Sequence, residues 1–67
     1  MTLQDAIDNA PPWARWLAID SDGLCACYFK TEPELFNGIY ITNYRGDQHM
    51  SLRVRGEDGP QLIEVNK

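Results

Sequence analysis

Two cysteines stand two residues apart, Cys25-Ala26-Cys27. Residues at that spacing on a strand point to the same side, so the pair could offer two thiols to a soft metal. A zinc site needs about four ligands, and the sole histidine, His49, and scattered carboxylates are the only others present. There is no second cysteine pair, and the spacing is not that of the redox Cys-x-x-Cys motif. Buried structural thiols are the expectation, with no metal and no cofactor. Asp20-Ser21-Asp22-Gly23 looks like part of a calcium loop. Setting Gly23 at the sixth loop position puts Ala18 first and Phe29 twelfth, and neither can ligate. That stretch reads as turn chemistry. Arg45-Gly46-Asp47 matches the adhesion tripeptide in letters only, a match common by chance.

Catalytic groups are as sparse. His49 has no neighbouring nucleophile or orienting carboxylate from which to build a triad. Ser21 falls in a turn and Ser51 at a strand start. Glu32 and Glu34 flank Pro33 in a polar loop, where nothing would raise a carboxyl pKa as acid catalysis requires. A chain of 67 residues rarely encloses a substrate pocket of ~300 Å³ or more. The expectation is that the protein is not an enzyme.

The aromatic set is richer: Trp13, Trp16, Tyr28, Tyr40 and Tyr44. Trp and Tyr dominate small cores and interface hot spots alike. Five are many for so small a core, so Trp16, Tyr28, Tyr40 and Tyr44 are the candidate protein-binding residues. Ten acidic and six basic residues leave a formal charge of −4. This balance argues against direct nucleic-acid binding and is what keeps a small protein soluble. An acidic nucleic-acid mimic remains a minor alternative. Met1-Thr2-Leu3-Gln4-Asp5 carries no basic region followed by an apolar run, so neither a signal peptide nor a membrane span is expected. The expected location is the cytoplasm, with both thiols reduced.

The chain reads as a single small α+β domain over 1–67. Thr2-Leu3-Gln4-Asp5 approximates a capping box. Leu3, Ala6, Ile7 and Ala10 make an apolar stripe at helical spacing, and Pro11-Pro12 ends the helix. Ala14–Ile19 and Leu24–Lys30 flank Asp20-Ser21-Asp22-Gly23 as a β-hairpin. An Asp22-Gly23 type I′ turn would pair Trp16 with Phe29. A type I turn over Asp20–Gly23, with Gly23 left-handed, would pair Trp16 with Tyr28 and place both on one face with Ala18 and Ala26. The second is preferred, because Asp at the first turn position caps the turn. Thr31–Glu34 reads as a loop and Asn37-Gly38 as a second turn. Ile39–Tyr44 is expected as a third strand, Ser51–Arg55 as a fourth and Leu62–Val65 as the last. Pairing of the last two would set Glu64 near Arg53 or Arg55. The expected fold is a short amino-terminal helix packed on a four- to five-stranded antiparallel meander.

Pro12-Trp13-Ala14-Arg15-Trp16-Leu17-Ala18-Ile19-Asp20-Ser21-Asp22-Gly23, with Lys30-Thr31-Glu32-Pro33 following, resembles a pattern in small uncharacterised accessory proteins of tailed bacteriophages and prophages. The resemblance covers Pro11 to roughly Pro33. Cys25 and Cys27 depart from the aromatic-rich second strand of that group. It implies a phage or prophage origin and a role on host machinery, and it carries no catalytic residue across. The function expected is therefore a non-enzymatic accessory protein of bacterial host cytoplasm that binds, or binds and inhibits, a host or phage protein. Trp16 and Tyr28 would form its contact face. The alternative is a small homo-oligomeric structural or virion-associated module.

Overall fold

The structure, a computed structural model, describes residues 1–42 and 47–66. The chain runs α1 (Leu3–Asp8), β1 (Trp16–Ile19), β2 (Cys25–Phe29), β3 (Glu34–Phe36), β4 (Ile39–Ile41), β5 (His49–Arg53) and β6 (Gln61–Glu64). Four strands form one antiparallel sheet in the order β5-β2-β1-β6, and β3 pairs only with β4 in a separate two-stranded sheet. The α+β class is as expected; the single meander is not.

Helix α1 starts where its capping signal lies. Thr2 Oγ1 accepts from Asp5 N–H at 3.1 Å, and the Asp5 carboxylate accepts in return from Thr2 N–H at 3.3 Å. The shorter Asp thus closes the box that a Glu usually closes. Six residues are too few for a helix to persist alone. Docking sustains this one: Ala6 is fully buried, and Leu3, Ile7 and Ala10 pack on the core. After Pro11-Pro12 the chain enters the sheet through buried Ala14. Asn66 Nδ2 ties this entry to the other end of the chain by donating to the carbonyls of Pro11 and Ala14.

The first hairpin combines features of both sequence-level alternatives. Gly23 N–H donates to the Asp20 carbonyl at 3.0 Å and Gly23 has φ of 72°, as the Asp20–Gly23 turn requires. The side-chain cap comes from Asp22, whose Oδ1 accepts from Leu24 and Cys25 N–H. Leu24 thereby joins the loop, and the strands close with Asp20 N–H on the Cys25 carbonyl. The register is Trp16 opposite Phe29 and Leu17 opposite Tyr28, which corrects the preferred pairing of Trp16 with Tyr28. One residue of register moves a whole strand to the other face. Tyr28 consequently sits with Leu17, Ile19 and Ala26 in the core beneath α1, and Trp16 stands on the opposite side.

Strand β6 pairs with β1, placing Glu64 opposite Trp16 at the edge remote from β5. The expected match of Glu64 with Arg53 or Arg55 does not form. The reason lies in β1, whose Leu17, Ala18 and Ile19 are essentially without solvent exposure. Backbone groups buried that deeply need a ladder on both sides, and β6 supplies the second. Burying Leu17 alone is worth about 1.5–3 kcal/mol.

Candidate functional site

The face of the sheet opposite α1 is where chemistry-bearing side chains gather. Alternation along β2 and β5 puts Cys25, Cys27 and Phe29 beside Arg53, Ser51 and His49 respectively. Above them lies the β3–β4 hairpin. Asn37 and Gly38 have φ of 50° and 83°, the two left-handed residues of a type I′ turn, as the Asn-Gly signal indicated. Phe36 faces Ile39 and Leu35 faces Tyr40 across it. The first turn holds this hairpin in place: Ser21 N–H donates to the Gly38 carbonyl at 2.8 Å, and Tyr40 N–H donates to Asp20 Oδ1 at 3.0 Å. Beyond β4, the Asp47 carboxylate accepts from Thr31 N–H, Thr31 Oγ1 and Thr42 Oγ1.

Between β4 and the β2–β5 face lies an open cleft of about 680 Å³. Tyr40, Ile41 and Thr42 form one wall, and Phe29, Cys25 and Cys27 the floor, with His49, Ser51 and Arg53 along the far side. So short a chain encloses more space than its length suggests, because the hairpin stands off the sheet instead of joining it. His49 stacks on Phe29, with ring centroids 6.4 Å apart and planes 28° apart.

The two thiols are half-exposed in this cleft and unbridged, so they are not the buried core filler expected. Hydrogen bonding to the Asp22 carboxylate, reinforced by its charge, pushes the Cys25 thiol pKa up. Burial pushes the Cys27 thiol up, against a hydrogen bond with Ser51. A thiol held protonated is a poor nucleophile and a poor metal ligand. Among the described residues no group of three or more His, Cys, Asp or Glu side chains could hold a metal ion. What the cleft offers instead is a largely apolar floor with Asp20, His49, Arg53 and the hydroxyls of Thr42 and Ser51 around it.

The three candidate binding residues among those described, Trp16, Tyr28 and Tyr40, are not brought together on one face. Tyr28 is 2% exposed, and its hydroxyl donates to the Ala6 carbonyl at 2.6 Å. It is a core residue and not a surface contact. Trp16 is half-buried on the cleft side of the sheet, Tyr40 is half-buried in the cleft wall, and Tyr44 lies outside the described residues. The exposed apolar residues of the β3–β4 hairpin are others: Leu35 is 49% exposed, Phe36 60%, Ile39 49% and Ile41 37%. A signal for them exists in Leu35-Phe36-Asn37-Gly38-Ile39-Tyr40, a hairpin complete in itself with apolar residues on both faces. No helix is long and apolar enough to cross a membrane among the described residues. No protein-family model, curated protein or solved structure matches this chain, so its own geometry carries the functional reading.

Proposed function

We propose that this protein is a non-enzymatic binding module of the phage or prophage accessory kind, which docks on a host or phage protein through the β3–β4 hairpin. The observation that carries this reading is the exposed face formed by Phe36, Ile39 and Ile41, with Leu35 exposed on the other face of the same two-stranded unit. Contiguous apolar surface of this sort marks interaction sites on small proteins, and an isolated hairpin gains rigidity when a partner covers it. The resemblance of Pro12–Gly23 to phage accessory proteins supports the origin and the host- or phage-directed role.

The test is affinity capture from bacterial lysate with quantitative mass spectrometry, comparing the natural chain with a Phe36→Ser, Ile39→Ser double variant. The expected outcome is one stoichiometric protein held by the natural chain and lost by the variant, with the circular dichroism of the two unchanged. Equal capture by both overturns the hairpin as the contact. The same exposed residues favour one second reading, a homo-oligomer that buries the hairpin against its own copies. Concentration-dependent sedimentation of the natural chain, abolished by the double variant, would establish that reading in place of the first.

A further inference from the structure

Among the described residues, the alternation of hydrogen bonds along β5 leaves one row of its backbone groups without a strand partner. Lys30 N–H donates to the Gln48 carbonyl and Val54 N–H to the Leu24 carbonyl. With Met50 opposite Tyr28 and Leu52 opposite Ala26, the ladder to β2 therefore uses the backbones of Gln48, Met50, Leu52 and Val54. In an antiparallel pair the intervening residues turn their N–H and C=O groups the other way. For His49, Ser51 and Arg53 that direction is the free edge of the sheet, since β5 is terminal in the strand order.

Side chains follow the same alternation. His49, Ser51 and Arg53 are exposed and rim the cleft. Met50, 45% exposed, and half-buried Leu52 stand on the opposite face. Charge adds the deciding feature. In a protein of net charge −4, the run His49-Met50-Ser51-Leu52-Arg53-Val54-Arg55 contains two arginines and the only histidine, and no acid.

We propose that β5 is a docking edge for an extended acidic segment of a partner protein, which adds to the sheet as a fifth strand. The proposal rests on the binding-module reading and names the chemistry of the partner. Backbone groups of His49, Ser51 and Arg53 supply the ladder, and alternate side chains supply selectivity. Carboxylates of the segment lie beside His49 and Arg53, a small polar residue lies beside Ser51, and apolar residues lie beside Met50 and Leu52. A second copy of the chain suits this edge less well. Two-fold pairing about Ser51 would set each Arg53 against a His49, with no acid between them.

The probe is the capped peptide acetyl-Ser-Glu-Val-Thr-Val-Glu-Ser-amide, whose pattern reads the same in both directions. It is titrated into the full chain while amide proton–nitrogen spectra and amide exchange are followed. Saturable shifts at β5 are expected, with slowed exchange of the His49, Ser51 and Arg53 amides, weakening as salt is added. The same peptide with Lys in place of both Glu should bind about tenfold more weakly or not at all. Ser51→Pro removes an outward N–H that β2 does not use, a position where edge strands accept proline, and should abolish binding. Arg53→Glu, at an exposed side chain, should reverse the preference toward the Lys peptide.

Absence of saturable shifts with millimolar peptide on the folded chain overturns the proposal. So does equal binding of the Glu and Lys peptides, or shifts confined to the β3–β4 hairpin. Protection of the same three amides without peptide, rising with protein concentration, would make the edge a self-pairing surface and overturn the acidic partner. Loss of lysate capture in the hairpin double variant reports on the binding-module reading alone, so the two can fail separately.

Discussion

Tyr28 shows how much one side chain can carry in a protein of this size. Its ring fills the space between sheet and helix, and its hydroxyl satisfies a carbonyl at the carboxyl end of α1, where helices leave acceptors unmet. Tyr28→Phe keeps the ring and strands the Ala6 carbonyl. A loss of about 1–2 kcal/mol is expected from the cost of an unsatisfied buried group, read as a lowered urea midpoint with little change in slope. Asp22 makes a different residue-scale prediction. The N–H groups of Cys25 and Leu24 that it accepts hold its carboxyl below the ordinary value of 3.8. A depressed folded pKa means that the stabilisation is complete above 3.8 and fades as the pH falls from there through the folded value. Asp5 is depressed in the same direction by its capping bonds with Thr2. Asp22→Ala should therefore lower stability at neutral pH and lose less on acidification than the natural chain, as followed by denaturation midpoints across the acid range.

At the scale of elements, the two hairpins differ in what supports them. The β1–β2 hairpin is flanked by β6 and β5 and crossed by α1, and its turn is wedged against a neighbour. A Cβ on Gly23 would run into the Glu57 carbonyl, and Glu57 N–H donates to the Gly23 carbonyl at 2.8 Å. The β3–β4 hairpin has no further strand beside it among the described residues and is held by a few tethers to Asp20 and Ser21. Two strands alone are marginal in water, so amide exchange should be much faster in β3–β4 than in β1–β2. Gly38 combines a φ of 83° with a close approach, since a Cβ there would lie 2.6 Å from Ser21 Oγ. Gly38→Val should raise exchange further in β3–β4 and leave the protection of β1 and β2 nearly unchanged, a split that exchange measured by residue would reveal.

For the whole molecule, composition and topology pull in different directions, and the site arises where they meet. Net charge is negative, yet basic groups collect on β5, a terminal strand with a row of open backbone groups. Apolar residues are plentiful, yet four of the large ones are left outside on a hairpin that stands off the sheet. The cleft between that hairpin and β5 is a consequence of packing and not of any motif. None of its lining residues forms a catalytic or metal-binding pattern in the sequence, and of Trp16, Tyr28 and Tyr40 only Tyr40 lies in its wall.

What the sequence by itself determined is local. The capping box at Thr2 and Asp5, the stop at Pro11-Pro12, the turn at Asp20–Gly23 and the Asn37-Gly38 turn rest on backbone sterics and hydrogen bonds within a few residues, and each forms where its letters stand. The α+β class follows from those pieces. Tertiary structure decided the rest. Whether β6 joined β1 or β5 depended on which buried backbone needed a second ladder, and that choice spans more than forty residues of chain. Whether Tyr28 faced the helix or the cleft depended on a single residue of register, set when Leu24 was taken into the loop. Strand alternation has a period of two, so a difference too small to weigh from local preferences exchanges the inside of the protein for its outside.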